Sequence, residues 1–264
     1  MTASNCPDCG YRLGAFRCFN CDYKVKGSDG PWPKGIVDQG AIWDAEGVWN
    51  GAEPLPSVAD EFKYREVFGY LRCRGIYDLA LTCDQLRCDW PGKGQGRGKF
   101  LIGRVWHVQQ GFRGIHKTRC VYDGDQFIRE DRRTNGACQG GGVWFGKVTP
   151  DAPLVVGEGM ETTLSAMILW NVSAGVATLG TNGMRALVLP RAAKQIIIAA
   201  DNDALVIQDG RKLKRGIDAA NDVRLRWLND DPRLKIEIRL PPDPEGEAHS
   251  RDWNDVLRQE KSNA

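Results

Sequence analysis

The second half of the chain alternates short apolar runs with helical periodicity. PLVVGEG (153–159) reads as a buried strand ending at Glu158, ETTLSAMILW (161–170) as a helix and VSAGVATLG (172–180) as a second strand. A short helical element over 182–188 precedes QIIIAADND (195–203), a third strand closing on Asp201 and Asp203. Leu213, Ile217, Ala220, Val223 and Trp227 recur at steps of three and four, which predicts an amphipathic helix over 210–229. KIEIRLPP (235–242) supplies a fourth strand. This order predicts an α/β fold with a parallel, Rossmann-like sheet and covering helices.

The first half is patterned differently. Apolar Ile42, Trp43, Val48 and Trp49 are followed by a helical stretch around 57–74 that ends before Gly75. LIGRVWHV (101–108) and IHKTRCVY (115–122), separated by QQGFRG, predict a β-hairpin within 100–122. Residues 24–40 are dense in Gly, Pro, Lys and Asp and mark a linker. These shifts predict a small unit over 1–26, a linker over 27–40, a basic α+β region over 41–150 and the α/β domain over 151–264.

Composition narrows the class. With 264 residues, 42% hydrophobic and 27% charged, the chain is long enough for a sizeable core and is neither collagen-like nor wholly disordered. The net charge of +2 predicts no partner, but its distribution does. Between 87 and 119 stand Arg87, Lys93, Arg97, Lys99, Arg104, Arg113, Lys117 and Arg119 against Asp89 alone. Arg97, Lys99, Arg104, His116, Lys117 and Arg119, interleaved with aromatics, form a candidate nucleic-acid surface. A solvated sheet face would show the same pattern. The glycine-rich loop 92–99 lacks the spacing of a phosphate-binding Walker loop, which argues against a nucleotide-driven motor. No apolar run approaches the roughly 18 to 20 residues that span a bilayer, and the first ten residues lack a secretory pattern. The expectation is a cytoplasmic protein, in a bacterial cell or a phage-infected host, with no membrane partner.

Nine cysteines in a reducing compartment favour metal ligation or burial over disulfides. Cys6 and Cys9, then Cys18 and Cys21, form two C-x2-C pairs separated by eight residues, the spacing of a four-sulfur structural zinc ribbon. A closed shell of that kind holds shape and leaves no position for substrate. Cys73, Cys83, Cys88, Cys120 and Cys138 show no such pairing and read as buried or incidental.

In parallel α/β sheets the ligand site lies beyond the carboxyl ends of the strands. Two strands deliver acids to that edge, Glu158 from one and Asp201 with Asp203 from another. Clustered carboxylates repel one another unless a cation neutralises them, and oxygen-ligated magnesium suits such a set. Asp252 and Asp255, in the run DWND after the fourth strand, offer a further acidic pair at the same edge. A single acid at a strand end more often caps a helix, but three acidic clusters at one sheet edge argue for a cation site.

Val155 to Thr162 (VVGEGMET), together with Ile198 to Asp203 (IAADND) and Asp252 to Leu257 (DWNDVL), resembles the Toprim domain shared by bacterial-type primases, type IA and II topoisomerases and some nucleases. The form found in phage and plasmid primases is the most similar, and YLRCRGI (70–76) through GIHKTR (114–119) is similar to the region preceding Toprim there. The resemblance implies that Glu158 is a general acid or base or a metal ligand, and that Asp201 and Asp203 hold magnesium or manganese. It extends more weakly to Asp252 and Asp255. Where cellular primases carry an aspartate four residues after the glutamate, this chain has Thr162, with Glu161 one position earlier. The implied activity is DNA-dependent synthesis of short RNA primers by two-metal nucleotidyl transfer. Its implied partners are a single-stranded DNA template, ribonucleoside triphosphates and a replicative helicase. All six tyrosines precede residue 123, which argues against a strand-passing topoisomerase. A Toprim nuclease and a non-catalytic nucleic-acid-binding subunit remain open alternatives.

Overall fold

The structure, a computed structural model, describes residues 38–58, 61–90, 99–203, 206–208, 211–242 and 250–263. The cysteine ribbon, most of the linker and Arg97 lie outside these residues. The described residues belong to one compact unit that begins at Asp38.

The first helix, α1 (Gln39–Gly51), starts two residues inside the expected linker because the Asp38 side chain caps it, accepting from the Ala41 N–H at 3.0 Å. After the two-residue strand β1 (Glu53–Pro54) come two 3-10 turns (Leu55–Ser57, Glu61–Tyr64), then α2 (Arg65–Cys73) and α3 (Tyr77–Leu81). The expected helix around 57–74 is therefore continuous only in its second half. Strands β2 (Leu86–Asp89), β3 (Lys99–His107), β4 (Gly111–Tyr122), β5 (Phe127–Gly136) and β6 (Gly142–Phe145) follow. β3 and β4 are the predicted hairpin, whereas β5 had no clear signal in its charged sequence FIREDRRTNG.

The second half runs β7 (Pro153–Gly157), α4 (Met160–Leu169), β8 (Ala174–Ala177), α5 (Thr181–Ala186) and β9 (Gln195–Ala199). A small hairpin, β10 (Val206–Gln208) and β11 (Arg211–Leu213), leads to α6 (Arg215–Asp230), β12 (Lys235–Arg239) and α7 (Trp253–Asn263). Leu213, read above as the first turn of the amphipathic helix, belongs to β11. The helix starts after Lys214, whose backbone is extended.

One ten-stranded sheet joins both halves in the order β1-β2-β3-β6-β8-β7-β9-β12, with β4 and β5 continuing from β3. β8, β7, β9 and β12 pair in parallel, and the remaining pairings are antiparallel. The boundary expected at 150 falls inside this sheet, where β6 pairs with β8. β7 and β9 are covered on both faces, which is why their sequences run without polar breaks. Leu154 and Val156 point into a core with Ala219, Val223 and Trp227 of α6, while Val155 points into the opposite core with Leu164 of α4 and Phe68 of α2. A third cluster packs Ala45 and Trp49 of α1 on Ile102 and Ile115 of the hairpin. Among the described residues no helix is long and apolar enough to cross a membrane.

The chain leaves β7 through α4 to β8 on one side, then returns past β7 to β9 on the other. Adjacent β7 and β9 thus form a switch point at which loops diverge and leave a crevice beyond the carboxyl ends. Everything that lines the site converges there.

Candidate active site

A cleft of about 460 Å³ opens at this switch point, lined by Glu158, Asp201, Asp203 and Asp252 and, facing them, by His116, Arg129, Arg132 and Thr134. Glu158 follows β7 directly. Its backbone is pinned, because the N–H groups of Leu179 and Gly180 both donate to its carbonyl, at 2.7 and 3.1 Å. Leu179 adopts a left-handed backbone (φ 67°) to do so, a strain on the order of 1 kcal/mol that the surrounding structure sustains.

Asp201 and Asp203 stand in the loop after β9. Asp201 accepts a 3.4 Å hydrogen bond from the Thr162 hydroxyl, and Asp203 Oδ2 accepts the Gly216 N–H in the first turn of α6 at 2.7 Å. Between them, Asn202 forms a two-way backbone bridge with Arg251, at 2.9 and 3.0 Å. This bridge carries the neighbouring Asp252 into the cleft. Asp255 does not line the cleft. It and Asp252 cap the start of α7 reciprocally, each side chain accepting the other's backbone N–H.

The acids are poorly compensated. Burial, then the charge of Asp203, pushes the Glu158 carboxyl up to about 7 against the pull of Arg185 and Arg132. Asp201 is pushed up to about 8 by burial and by the charges of Glu158, Asp252 and Asp203. Asp252 is raised as well, chiefly by burial. Glu158 Oε1 is buried with no hydrogen-bond partner. An orphaned carboxylate oxygen among mutually repelling acids is the environment a hard cation relieves, so the donor set fits magnesium or manganese. Among the described residues no three acidic, histidine or cysteine side chains enclose an ion unaided. An ion here would therefore complete its shell with water or phosphate oxygens, as magnesium commonly does.

Of the expected nucleic-acid residues that are described, His116 alone lines the cleft. Burial pushes its imidazole down to about 4, and Nδ1 shares a 3.0 Å hydrogen bond with the Thr134 hydroxyl. Arg104, Lys117 and Arg119 lie in register with Ile115, Ile102 and Phe100, on the face that α1 covers. Lys117 pairs with Asp89 at 3.2 Å, Arg119 with Glu130 at 3.0 Å, and Arg104 Nε with Gln85 at 2.6 Å. Lys99 rests 3.1 Å over the Trp90 ring. The cations that face the acids are instead Arg129 and Arg132 of β5, which the sequence reading missed. Arg132 stands opposite Thr118 and Arg129 opposite Cys120, and the register shift between Arg119 and Cys120 is what brings two side chains three residues apart onto one face, a signal available only once the pairing with β4 is known. Glu161 also turns out to be committed. It receives Tyr70 Oη at 2.5 Å and Arg129 Nη1 at 3.1 Å.

Gly216 lets α6 approach this loop. A Cβ there would lie 2.6 Å from the Asp201 carbonyl oxygen and 3.2 Å from Asp203 Oδ2. Gly216→Ala is expected to push α6 outward. The cost, about 1–3 kcal/mol of overpacking, exceeds the roughly 1 kcal/mol gained in helix propensity. A lower melting temperature in thermal denaturation checks this, and a melting temperature at or above wild type would contradict it.

Residues 153–263 match the family described as the Toprim domain. A search of curated proteins gives no match. The E. coli primase catalytic core aligns with a TM-score of 0.51 at 15% identity, over 83% of this chain and 76% of that one. The DnaG primase catalytic domain bound to ssDNA aligns with a TM-score of 0.50 at 16% identity, over 84% and 77%. The primase fragment of the bacteriophage T7 primase-helicase covers 100% of this chain and 96% of its own at 14% identity, with a TM-score of 0.44. At such identities the likeness is one of fold. Residues 153–263 of this chain are accordingly a Toprim domain, carried within a fold shared with the catalytic cores of bacterial primases.

Proposed function

We propose that the chain is a DNA-dependent primase that joins ribonucleotides on a single-stranded template. The observation that carries this reading is the cleft itself. Five carboxylates from three separate segments line it with two arginines, Glu161 paired with Arg129, and one oxygen of Glu158 is left without a partner. The fold likeness to a primase catalytic domain solved with ssDNA supports the same substrate class.

Asp201 and Asp203, with Asp252 beside them, would hold magnesium or manganese, which when bound supplies charge neutralisation for the triphosphate and ionisation of the attacking hydroxyl. Glu158, with a carboxyl near 7 and a free oxygen, is placed to take the proton of the primer 3′-hydroxyl at neutral pH. Arg132 is exposed at the rim and Arg129 sits deeper, so both can donate to phosphate oxygens. Neutral His116 keeps a third cation out of the wall and holds Thr134 in place. Lys99, stacked on the exposed ring of Trp90, offers a cation and an aromatic face to a single strand beside the hairpin. On their spacing, Cys6, Cys9, Cys18 and Cys21 belong to this proposal as a zinc-held template reader.

The test is direct. Protein with magnesium, ribonucleotides and varied single-stranded templates is expected to yield short oligoribonucleotides on denaturing gels. Cleavage of labelled DNA without nucleotides, and no synthesis on any template, would instead identify a nuclease built on the same acids.

A further inference from the structure

Glu161 follows Glu158 by three residues and invites assignment as another ion ligand. Its contacts assign it elsewhere. Its two side-chain hydrogen-bond donors reach the same oxygen, Oε1, from two elements outside the Toprim domain, Tyr70 on α2 and Arg129 on β5. The carboxylate is 9% exposed, Tyr70 is fully buried, and Arg129 keeps 31% of its side chain exposed toward the cleft that it lines. Only Nη1 of Arg129 is engaged by Glu161, so its other N–H groups are available to the cleft.

We propose that Glu161, supported by the Tyr70 hydroxyl, is a positioning residue that holds the Arg129 guanidinium in the wall of the carboxylate cleft to receive a phosphate oxygen. A guanidinium is planar and presents its donors in a fixed fork, so clamping one end aims the other. The pair also ties α4 to β5 across the junction between the Toprim domain and the preceding region. The charge of Arg129, then the Tyr70 hydrogen bond, counters burial and keeps Glu161 ionised below the usual carboxylate range. This inference rests on the phosphate chemistry proposed above, and the phosphate can belong to a DNA backbone or to a nucleoside triphosphate.

Two readouts that need no synthesis test it. The first is affinity for an oligodeoxythymidylate and, separately, for ATP with Mn²⁺, in Glu161→Gln, Arg129→Gln and the double variant. Each single substitution is expected to weaken one of the two probes about tenfold, and the double variant is expected to be no weaker than Arg129→Gln alone. The probe that responds identifies the source of the phosphate. The second is calorimetric binding of Mn²⁺ alone, expected to be unchanged in Glu161→Gln and lost in Asp201→Asn. Additive losses, no effect on either probe, or Mn²⁺ binding lost in Glu161→Gln would overturn the assignment. Should Glu161→Gln fail to fold, Tyr70→Phe is expected to weaken the same probe two- to threefold in the wild-type background and not at all with Arg129→Gln. A wild-type protein that bound no Mn²⁺ would count against the cation reading alone, since the oligonucleotide cycle is read without metal.

Discussion

Asp201→Asn is expected to abolish template-directed synthesis, by roughly 10³-fold or more, while raising the melting temperature of the metal-free protein. The two effects share one cause. Asp201 is buried, and its charge is opposed by Glu158, Asp252 and Asp203, while the Thr162 hydroxyl donates to it. A carboxyl pushed from 3.8 to about 8 destabilises the folded state by several kcal/mol once the unfolded chain can ionise freely. Asparagine keeps the volume and the hydrogen bond and removes the repulsion. Allowing for relaxation, about 2 kcal/mol of that cost is expected to be recovered, roughly 4–8 °C in a chain of this size. Synthesis falls because asparagine is a weak ligand for a hard cation, and losing several kcal/mol of charge stabilisation is a loss of this order. Circular-dichroism melts in chelator and a primer-synthesis assay check the pair. Loss of activity with an unchanged or lowered melting temperature would show that the acids are already compensated in the folded chain.

The same imbalance sets a pH dependence. For an acid whose folded pKa is raised, the contribution to stability is fully present below the unfolded value and is lost as pH rises through the folded one. Asp201 and Glu158 therefore destabilise the folded chain progressively from about 4 up to about 8. His116 works the other way. Its folded pKa is depressed to about 4, so its neutral burial costs stability as pH falls from 6.5 toward 4. Below 6.5 the two trends oppose each other, whereas between 6.5 and 8 only the carboxylates act. In chelator, the melting temperature is expected to fall across that upper window and then level off. Millimolar magnesium or manganese should flatten the decline by binding only the folded protein, and Asp201→Asn should flatten it without metal. A decline that persists in both cases would place its origin outside the cleft.

The residues of the site differ in how far they could be read from the chain. Glu158 and Asp201 were legible because each closes a short apolar run, with Asp203 two residues further on, and a strand buried on both faces must end where its first charge appears. The hairpin of β3 and β4 was legible from its two apolar patches and the glycine between them. Arg129 and Arg132 were not, because β5 is an edge strand, paired only with β4, and its solvent-facing charges hide the alternation. The face of each cation on the hairpin was also hidden. Period-two alternation separates His116 from Lys117, but it does not say which side meets the carboxylates and which meets α1. Glu161 was ambiguous for a related reason. Met160 through Met167 are all buried, so helical periodicity marks no inward face.

The chain's local pattern by itself determined the parallel strands and covering helices from β7 to β12, the glutamate and the aspartates at their ends, and the likeness to Toprim, because burial on both faces and strand termination are properties of short segments. Only the tertiary structure decided which charges meet. The Asn202–Arg251 bridge brings Asp252 in and leaves Asp255 capping a helix, and the pairing of β5 with β4 turns Arg129 and Arg132 toward the acids. The physical reason is range. Strand register and backbone bridges join segments many residues apart, and a one-residue change in either would send a different set of side chains into the cleft.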